Sequence, residues 1–190
     1  MATFTLTPDG SSGHTFHWAN VGGTNHHTSL QTNDGDTSYV QCSATGRQLI
    51  LTYVDPAVAE SSIASITSVQ FLSTGRHTGR IGTADVDISF ETPTAGFSET
   101  AVYNAHHSSY TTINGTVRTT SDGSSAWTYS DLENLSMKLT KNGSNQVRVS
   151  YLALKVTYVE AGYSNTVNGV SNISKVNGIA TADISKVNGV

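Results

Sequence analysis

Apolar residues along this chain come in short runs of period two, separated by clusters of Gly, Asn, Asp, Ser and Pro. Alternate side chains of a strand point to opposite faces, so such runs read as half-buried strands bounded by turns. The pattern predicts strands over 2–7 (ATFTLT), 14–18 (HTFHW), 38–44 (SYVQCSA) and 47–54 (RQLILTYV). Further strands are expected over 62–72 (SIASITSVQFL), 84–90 (ADVDISF), 98–103 (SETAVY) and 111–119 (TTINGTVRT). Pro8, Pro56 and Pro93 all fall between runs, where a missing amide removes no ladder bond.

The stretch WTYSDLENL breaks the period and predicts one short helix. Ser130 is the expected N-cap, Glu133 completes a capping box, and Asp131 adds negative charge to the first turn. Trp127, just before it, is placed to plug one end of the core. A strand SMKLTK follows, then a turn, then the longest apolar run, QVRVSYLALKVTYVE (146–160). Val147, Val149 and Tyr151 share one face there, after which the apolar set changes phase to Leu152, Leu154, Val156 and Tyr158. A period of two cannot slip unaided, so a bulge or bend is expected near Tyr151–Leu152, or a strand buried on both faces.

Beyond Glu160 the pattern changes again. Val-Asn-Gly followed by Val or Ile occurs three times between residues 166 and 190. The apolar positions Val167, Val170, Ile173, Val176, Ile179, Ile184, Val187 and Val190 are spaced by three, with one insertion. A strand wants two, and each helical Gly costs about 1 kcal/mol, whereas Asn-Gly is a tight-turn signal. The segment reads as short extended steps and turns exposing one apolar residue per step. It is too small to form a core alone and needs a surface to lie on; a disordered linker is the alternative. The domain reading is an all-β antiparallel jelly-roll sandwich over 1–160, with one short helix, and a repeat segment over 161–190 for docking or oligomerisation.

Composition narrows the class of function. Charged residues make up 13% of the chain against roughly 25% in ordinary soluble domains, and Ser, Thr, Asn and Gly take their place. The net charge is −4 with no basic stripe, which argues against nucleic acid as a partner. Cys42 is the one cysteine, so no intrachain disulfide forms, as suits assembly in a reducing cytoplasm. Met1 leads straight into ATFTLTPDG with no signal-like region, and no run is long enough to cross a bilayer.

The most enzyme-like stretch is ADVDISFET, which sets Asp85, Asp87, Ser89 and Glu91 on one strand face. Neighbours two apart on a strand lie about 6.5–7 Å from each other, within reach of a retaining carboxyl pair. Ser89 interrupts the acidic series and no aromatic platform stands nearby, so acids facing water are the simpler reading. The doublets NHH (25–27) and AHH (105–107), with His14 and His17, invite a metal site. Each doublet offers one ligand per strand face and zinc-type spacing is absent, so loop or contact histidines are expected and no metal or cofactor is assigned. Cys42 reads as a buried core thiol. Phosphate-binding, Gly-x-Ser-x-Gly and His-Glu-x-x-His motifs are missing, and no catalytic residue is assigned.

The segments WTYSDLENLSMKL and QVRVSYLALKVTYVE together resemble the end of a β-sandwich module of tailed-phage virion proteins. There a Trp-Thr pair opens a short Asp-Leu helix and a V-R-V-S-type strand closes the sandwich. NDGDTSYV (33–40) is similar to that module's acidic turn, and the Ile-Ser-Lys-Val-Asn-Gly units look like segments appended to phage structural proteins. LALKVTY departs by lacking the usual acidic residue in the last strand. The resemblance implies a jelly-roll virion component, assembled in the host cytoplasm and contacting other virion proteins and copies of itself. The leading expectation is therefore a non-enzymatic structural component, capsid decoration or head fibre. The alternative is a carbohydrate-binding, host-adhesion module of a tail or fibre protein. A polysaccharide hydrolase using Asp85, Asp87 and Glu91 is the third reading.

Overall fold

The structure is a computed structural model that describes residues 1–13, 15–53, 56, 58–79, 84–92, 96–103, 109–161, 175–176 and 179–180. Its longest ladder joins strand β6 (Ile63–His77) to strand β11 (Val147–Glu160), the two longest strands among the described residues. On its other side β11 takes β4 (Tyr39–Cys42) along its first residues and β1 (Ala2–Leu6) along its last. Strand β3 (Ala19–Val21) extends this sheet beyond β4, and β9 (Thr111–Asn114) pairs with β6. The second sheet runs in the order β2 (Pro8–Gly13), β5 (Gln48–Tyr53), β10 (Ser136–Asn142), β7 (Ala84–Glu91), β8 (Gly96–Tyr103). Every pairing is antiparallel. Two facing antiparallel sheets make an all-β sandwich, as expected from the alternation.

The alternation also sets which side chains meet between the sheets. Val86, Ile88 and Phe90 of β7 and Met137 and Leu139 of β10 are fully or almost fully buried, while the residues between them are half-buried. From the other sheet come Val69 and Phe71 of β6 and Leu152, Leu154 and Val156 of β11. The rings of Phe71 and Phe90 meet across the interface with centroids 5.9 Å apart.

The phase change in the last strand is resolved by a bulge: Val149 faces Gly75 but Tyr151 faces Thr74, one residue gained on β11. Val147 and Val149 before it, and Leu152, Leu154 and Val156 after it, are all buried as a result. The same crossing explains Gly75. A Cβ there would sit 2.6 Å from the Tyr103 ring and 2.8 Å from the Arg148 carbonyl oxygen. Tyr103 itself is fully buried, its hydroxyl 2.5 Å from the Ser73 hydroxyl.

Several expectations are corrected. Residues 15–17 form a 3-10 turn rather than a strand, anchored by Trp18, whose indole N–H donates to the Arg47 carbonyl at 3.1 Å. Residues 8–13 form an edge strand where a turn was expected; Pro8 opens it, where a strand tolerates a missing amide. The strand at 111–119 stops at Asn114. Helix α1 (Tyr129–Glu133) is capped by Thr128, not Ser130. Thr128 Oγ1 accepts from the Asp131 amide at 3.1 Å and Asp131 Oδ2 accepts from the Thr128 amide at 2.8 Å. The capping box is therefore real but starts two residues earlier, with Asp in the place of Glu. Leu132 and Leu135 fill the core beneath it, and Trp127 is 4% exposed.

Of the eight tail positions, Val176 and Ile179 are direct partners in a two-stranded ladder of β12 (Lys175–Val176) and β13 (Ile179–Ala180). Val167, Val170, Ile173, Ile184, Val187 and Val190 lie outside the described residues.

Because the Gly75 contact is with backbone and a packed ring, Gly75→Ala is expected to destabilise the domain by about 2 kcal/mol or more. Urea unfolding followed by tryptophan fluorescence measures this; a change under about 0.5 kcal/mol would mean that the crossing of β6 and β11 yields easily.

Candidate functional site: clefts on either side of Phe97

Strand β8 is the outer strand of its sheet, and its first residues separate two clefts. Phe97 lies opposite Phe90 and stacks on it, with centroids 4.5 Å apart, and meets Trp127 edge-on at 6.1 Å. The inner cleft, about 350 Å³, opens beside the segment that follows β9 and is lined by Phe97, Thr116, Val117, Arg118, Thr119 and Asp122. The outer cleft, about 260 Å³, lies on the far side of Gly96 and Phe97 and is bounded by Ser89, Glu91, Ser98 and Lys138.

Arg118 is fixed by its own backbone. Its amide and carbonyl exchange 2.9 Å hydrogen bonds with Val69, and the same carbonyl accepts from the Trp127 indole at 2.9 Å. The guanidinium lies 4.0 Å from the centre of the Phe97 ring, a close cation–π contact. One terminal nitrogen stands 3.8 Å from Glu99 Oε1, while its buried Nε has no hydrogen-bond partner among the described residues. Glu99 is held in turn by the Thr116 amide, at 3.0 and 3.1 Å from its two oxygens. At the rim, Asp122 accepts bonds from the amides and hydroxyls of Ser124 and Ser125, which pull its carboxyl well below the usual range.

The outer cleft meets the acidic face of β7. Asp85, Asp87, Ser89 and Glu91 share the solvent side, as the alternation requires, but they have partners of their own. Glu91 pairs with Lys138 at 2.7 Å, and Asp87 accepts from Thr100 Oγ1 at 2.6 Å and Asn142 Nδ2 at 2.5 Å. The arrangement is a hydrogen-bonded polar face rather than a pair of carboxyls facing each other across a cleft.

The described histidines form no metal-binding group. His26 Nε2 donates to the Trp18 carbonyl, and His27 Nδ1 lies 3.4 Å from the Ser11 hydroxyl. No group of three or more metal-ligating side chains occurs among the described residues, and His14, His106 and His107 lie outside them. Cys42 is buried, and burial pushes its thiol pKa up. At the same end of the sandwich Lys141 is fully buried, its ammonium donating to the carbonyls of Asn142 and, at 2.9 Å, Gly143.

The alternation predicts strands over 98–103 and 111–119, which leave out Phe97 and carry no sign that Glu99 and Arg118 meet. Extending the first of these backward by one residue would have put Phe97, Glu99, Ala101 and Tyr103 on a common face.

No protein-family model and no curated protein sequence matches the chain. Among solved structures, the fold is similar to TmCBM61 in complex with β-1,4-galactotriose, at 9% identity and a TM-score of 0.42 over 76% of this chain and 86% of that one. It is also similar to the family 11 carbohydrate-binding module from Clostridium thermocellum in complex with a mixed-linked tetrasaccharide, at 12% identity and TM-score 0.41, over 80% and 86%. A third is the CBM22-1–GH10 portion of Clostridium thermocellum endo-1,4-β-D-xylanase 10B, at 13% identity and TM-score 0.45, where 80% of this chain matches 27% of that one. These are likenesses of two-sheet β architecture and of nothing finer.

Burial holds the Lys141 pKa below its ordinary value, so between the folded and unfolded pKa the unfolded chain binds more protons. Its contribution to stability therefore improves as pH rises through that window toward about 10.4. Lys141→Met is expected to remove this dependence, so the stability gained by the variant over the parent shrinks between pH 7 and pH 10. Parallel urea titrations read the difference; a constant gap would show that Lys141 is charged and satisfied in the folded chain.

Proposed function

We propose that the chain is a non-catalytic glycan-binding β-sandwich whose site is the inner cleft beside Phe97. The observation that carries this reading is the Arg118–Glu99 pair, immobilised by backbone and ring contacts and only partly covered. A sugar presents neighbouring hydroxyls, each donor and acceptor at once, together with patches of C–H. Recognising it takes donors and acceptors held side by side next to an apolar surface. Arg118 supplies a planar fork of donors and Glu99 an acceptor, both already oriented. Val117, 54% exposed, adds the apolar wall. The cleft falls near the low end of the roughly 300–1,000 Å³ common for small-ligand sites, room for a short glycan segment.

Hydrolysis asks for different properties. A glycosidase needs one carboxyl held protonated and a second across the scissile bond. Here Glu91 and Glu99 each have a cationic neighbour, and among the described residues the carboxyls whose pKa moves, Asp36 and Asp122, move down. Carboxylates held in place in this way suit binding.

A second reading, a structural component of a tailed-phage virion attached through residues 161–190, draws on the Val176–Ile179 pairing. That pairing spans the Asn-Gly of one Val-Asn-Gly-Ile unit, the spacing a two-residue hairpin uses. The two readings are compatible, because weak glycan sites gain strength when many copies are held on one particle.

Titration of the intact chain against neutral oligosaccharides tests the first reading. At least one is expected to bind, with Arg118→Gln and Glu99→Gln each weakening it tenfold or more and no reducing ends released. Binding indifferent to both substitutions would place the site elsewhere. For the second reading, light scattering is expected to show an oligomer that Val176→Ser combined with Ile179→Ser reduces to monomers; a monomeric parent chain would remove it.

A further inference from the structure

A second group of polar side chains lies on the outer face of the six-stranded sheet, away from the Phe97 clefts. Gln41 on β4, Arg148 on β11 and Arg76 on β6 are direct neighbours in register, forming a row across three strands. Tyr39 and Tyr110 flank the row, with the Arg148 guanidinium 4.5 Å from the Tyr39 ring centre and that of Arg76 5.3 Å from the Tyr110 ring centre. Two guanidiniums side by side on adjacent strands repel each other unless an anion lies between them.

That anion is Asp36. A single oxygen, Oδ1, accepts from Arg76 Nη2 at 2.7 Å, Arg148 Nη1 at 3.1 Å and the Tyr110 hydroxyl at 2.8 Å. Burial raises the Asp36 pKa, but these bonds outweigh it and hold the carboxyl below its ordinary value. The Tyr110 hydroxyl is pushed up to about 12, mainly by burial, and so remains a donor.

The match is incomplete in three ways. One carboxylate faces two guanidiniums. Arg76, with a side chain only 8% exposed, and Arg148 each keep a buried Nε with no hydrogen-bond partner among the described residues, and so does the Gln41 carbonyl oxygen. Asp36 itself is 50% exposed, on a short loop whose turn is closed by Asp34 accepting from the Ser38 amide and hydroxyl. Gly35, at φ +67°, gives that loop a left-handed residue just before Asp36. The loop leads straight into β4, and Asp36 is its side chain that hydrogen-bonds both arginines of the row.

We propose that the Gln41–Arg148–Arg76 row is a binding site for a hydroxylated carboxylate, the chemistry of a sugar acid, and that Asp36 occupies it when ligand is absent. A carboxylate with both oxygens free answers two guanidiniums better than one oxygen of Asp36. An adjacent ligand hydroxyl supplies the donor that the Gln41 side-chain oxygen lacks, which acetate does not offer. The same chemistry occurs in a free hydroxy acid and in an acidic polysaccharide; the polysaccharide source rests on the glycan-binding function proposed above, whereas the site does not.

Calorimetric titration of the intact chain with galacturonic acid, its trisaccharide, galactose and acetate tests the proposal. Galacturonic acid, the trisaccharide or both are expected to bind at least tenfold more tightly than galactose and acetate. Monomer binding equal to trisaccharide binding assigns the free acid, and tighter trisaccharide binding assigns the polymer. Asp36→Asn is expected to raise uronate affinity about tenfold by removing the internal occupant, and Arg148→Gln to lower it as much. Unchanged or weaker binding by Asp36→Asn overturns the proposal even if Arg148→Gln does not fold, and so does acetate binding as tightly as the uronate. Arg118→Gln leaves these titrations untouched, so loss of neutral-glycan binding in that variant bears on the Phe97 cleft alone.

Discussion

Strand β11 belongs to three ladders at once, with β6 along its length and β4 and β1 in succession on its other side. Its register therefore decides which side chains of three neighbours face the core. A strand changes the face it buries only by gaining or losing a residue. The bulge between Val149 and Tyr151 makes that change once, and both halves of β11 then bury their apolar sets against the same opposing sheet. Arg148 sits one residue before the last inward-facing valine of the first half, so the bulge also aims it outward, beside Gln41 and Arg76.

The chain uses little charge and concentrates it. Across much of the surface Ser, Thr and Asn satisfy their own hydroxyls and amides locally, as at Ser89–Ser98, Asn134–Ser130 and Asp122 with Ser124 and Ser125. Three arginines behave differently: Arg76, Arg118 and Arg148 each lie against an aromatic ring and near a carboxylate, Asp36 for Arg76 and Arg148 and Glu99 for Arg118. A guanidinium flattened on a ring gives up rotational freedom in advance, so less is lost when a further group binds it. That economy sets the two clusters apart from a uniformly polar surface.

Architecture was legible because its signal is local. Alternation in ADVDISF and SMKLTK fixes inward and outward faces without any knowledge of partners, and the phase change at Tyr151 announces a bulge. The cap of α1 was displaced because both Thr128 and Ser130 begin an acceptable box; Thr128 prevails with Asp131 at 2.8 Å. Pairing partners carry no such signal. Arg118 meets Phe97 and Glu99 only because the chain leaving β9 passes the start of β8, and Asp36 meets Arg76 and Arg148 across 40 and 112 residues of sequence. The acidic strand was conspicuous in one dimension and proved hydrogen-bonded to its neighbouring strands in three.

The first strand has a further consequence, for the order in which the molecule can be assembled. Ala2 lies opposite Tyr158 and Leu6 opposite Leu154, so the beginning of the sandwich finds its place only when the end has been made. Nearly the whole chain must be present before β1 has a partner in its sheet, and contacts of such long range make folding slow. During synthesis the N-terminal residues emerge first and wait longest, and a chain cut short before β11 lacks the strand to which β1, β4 and β6 all pair.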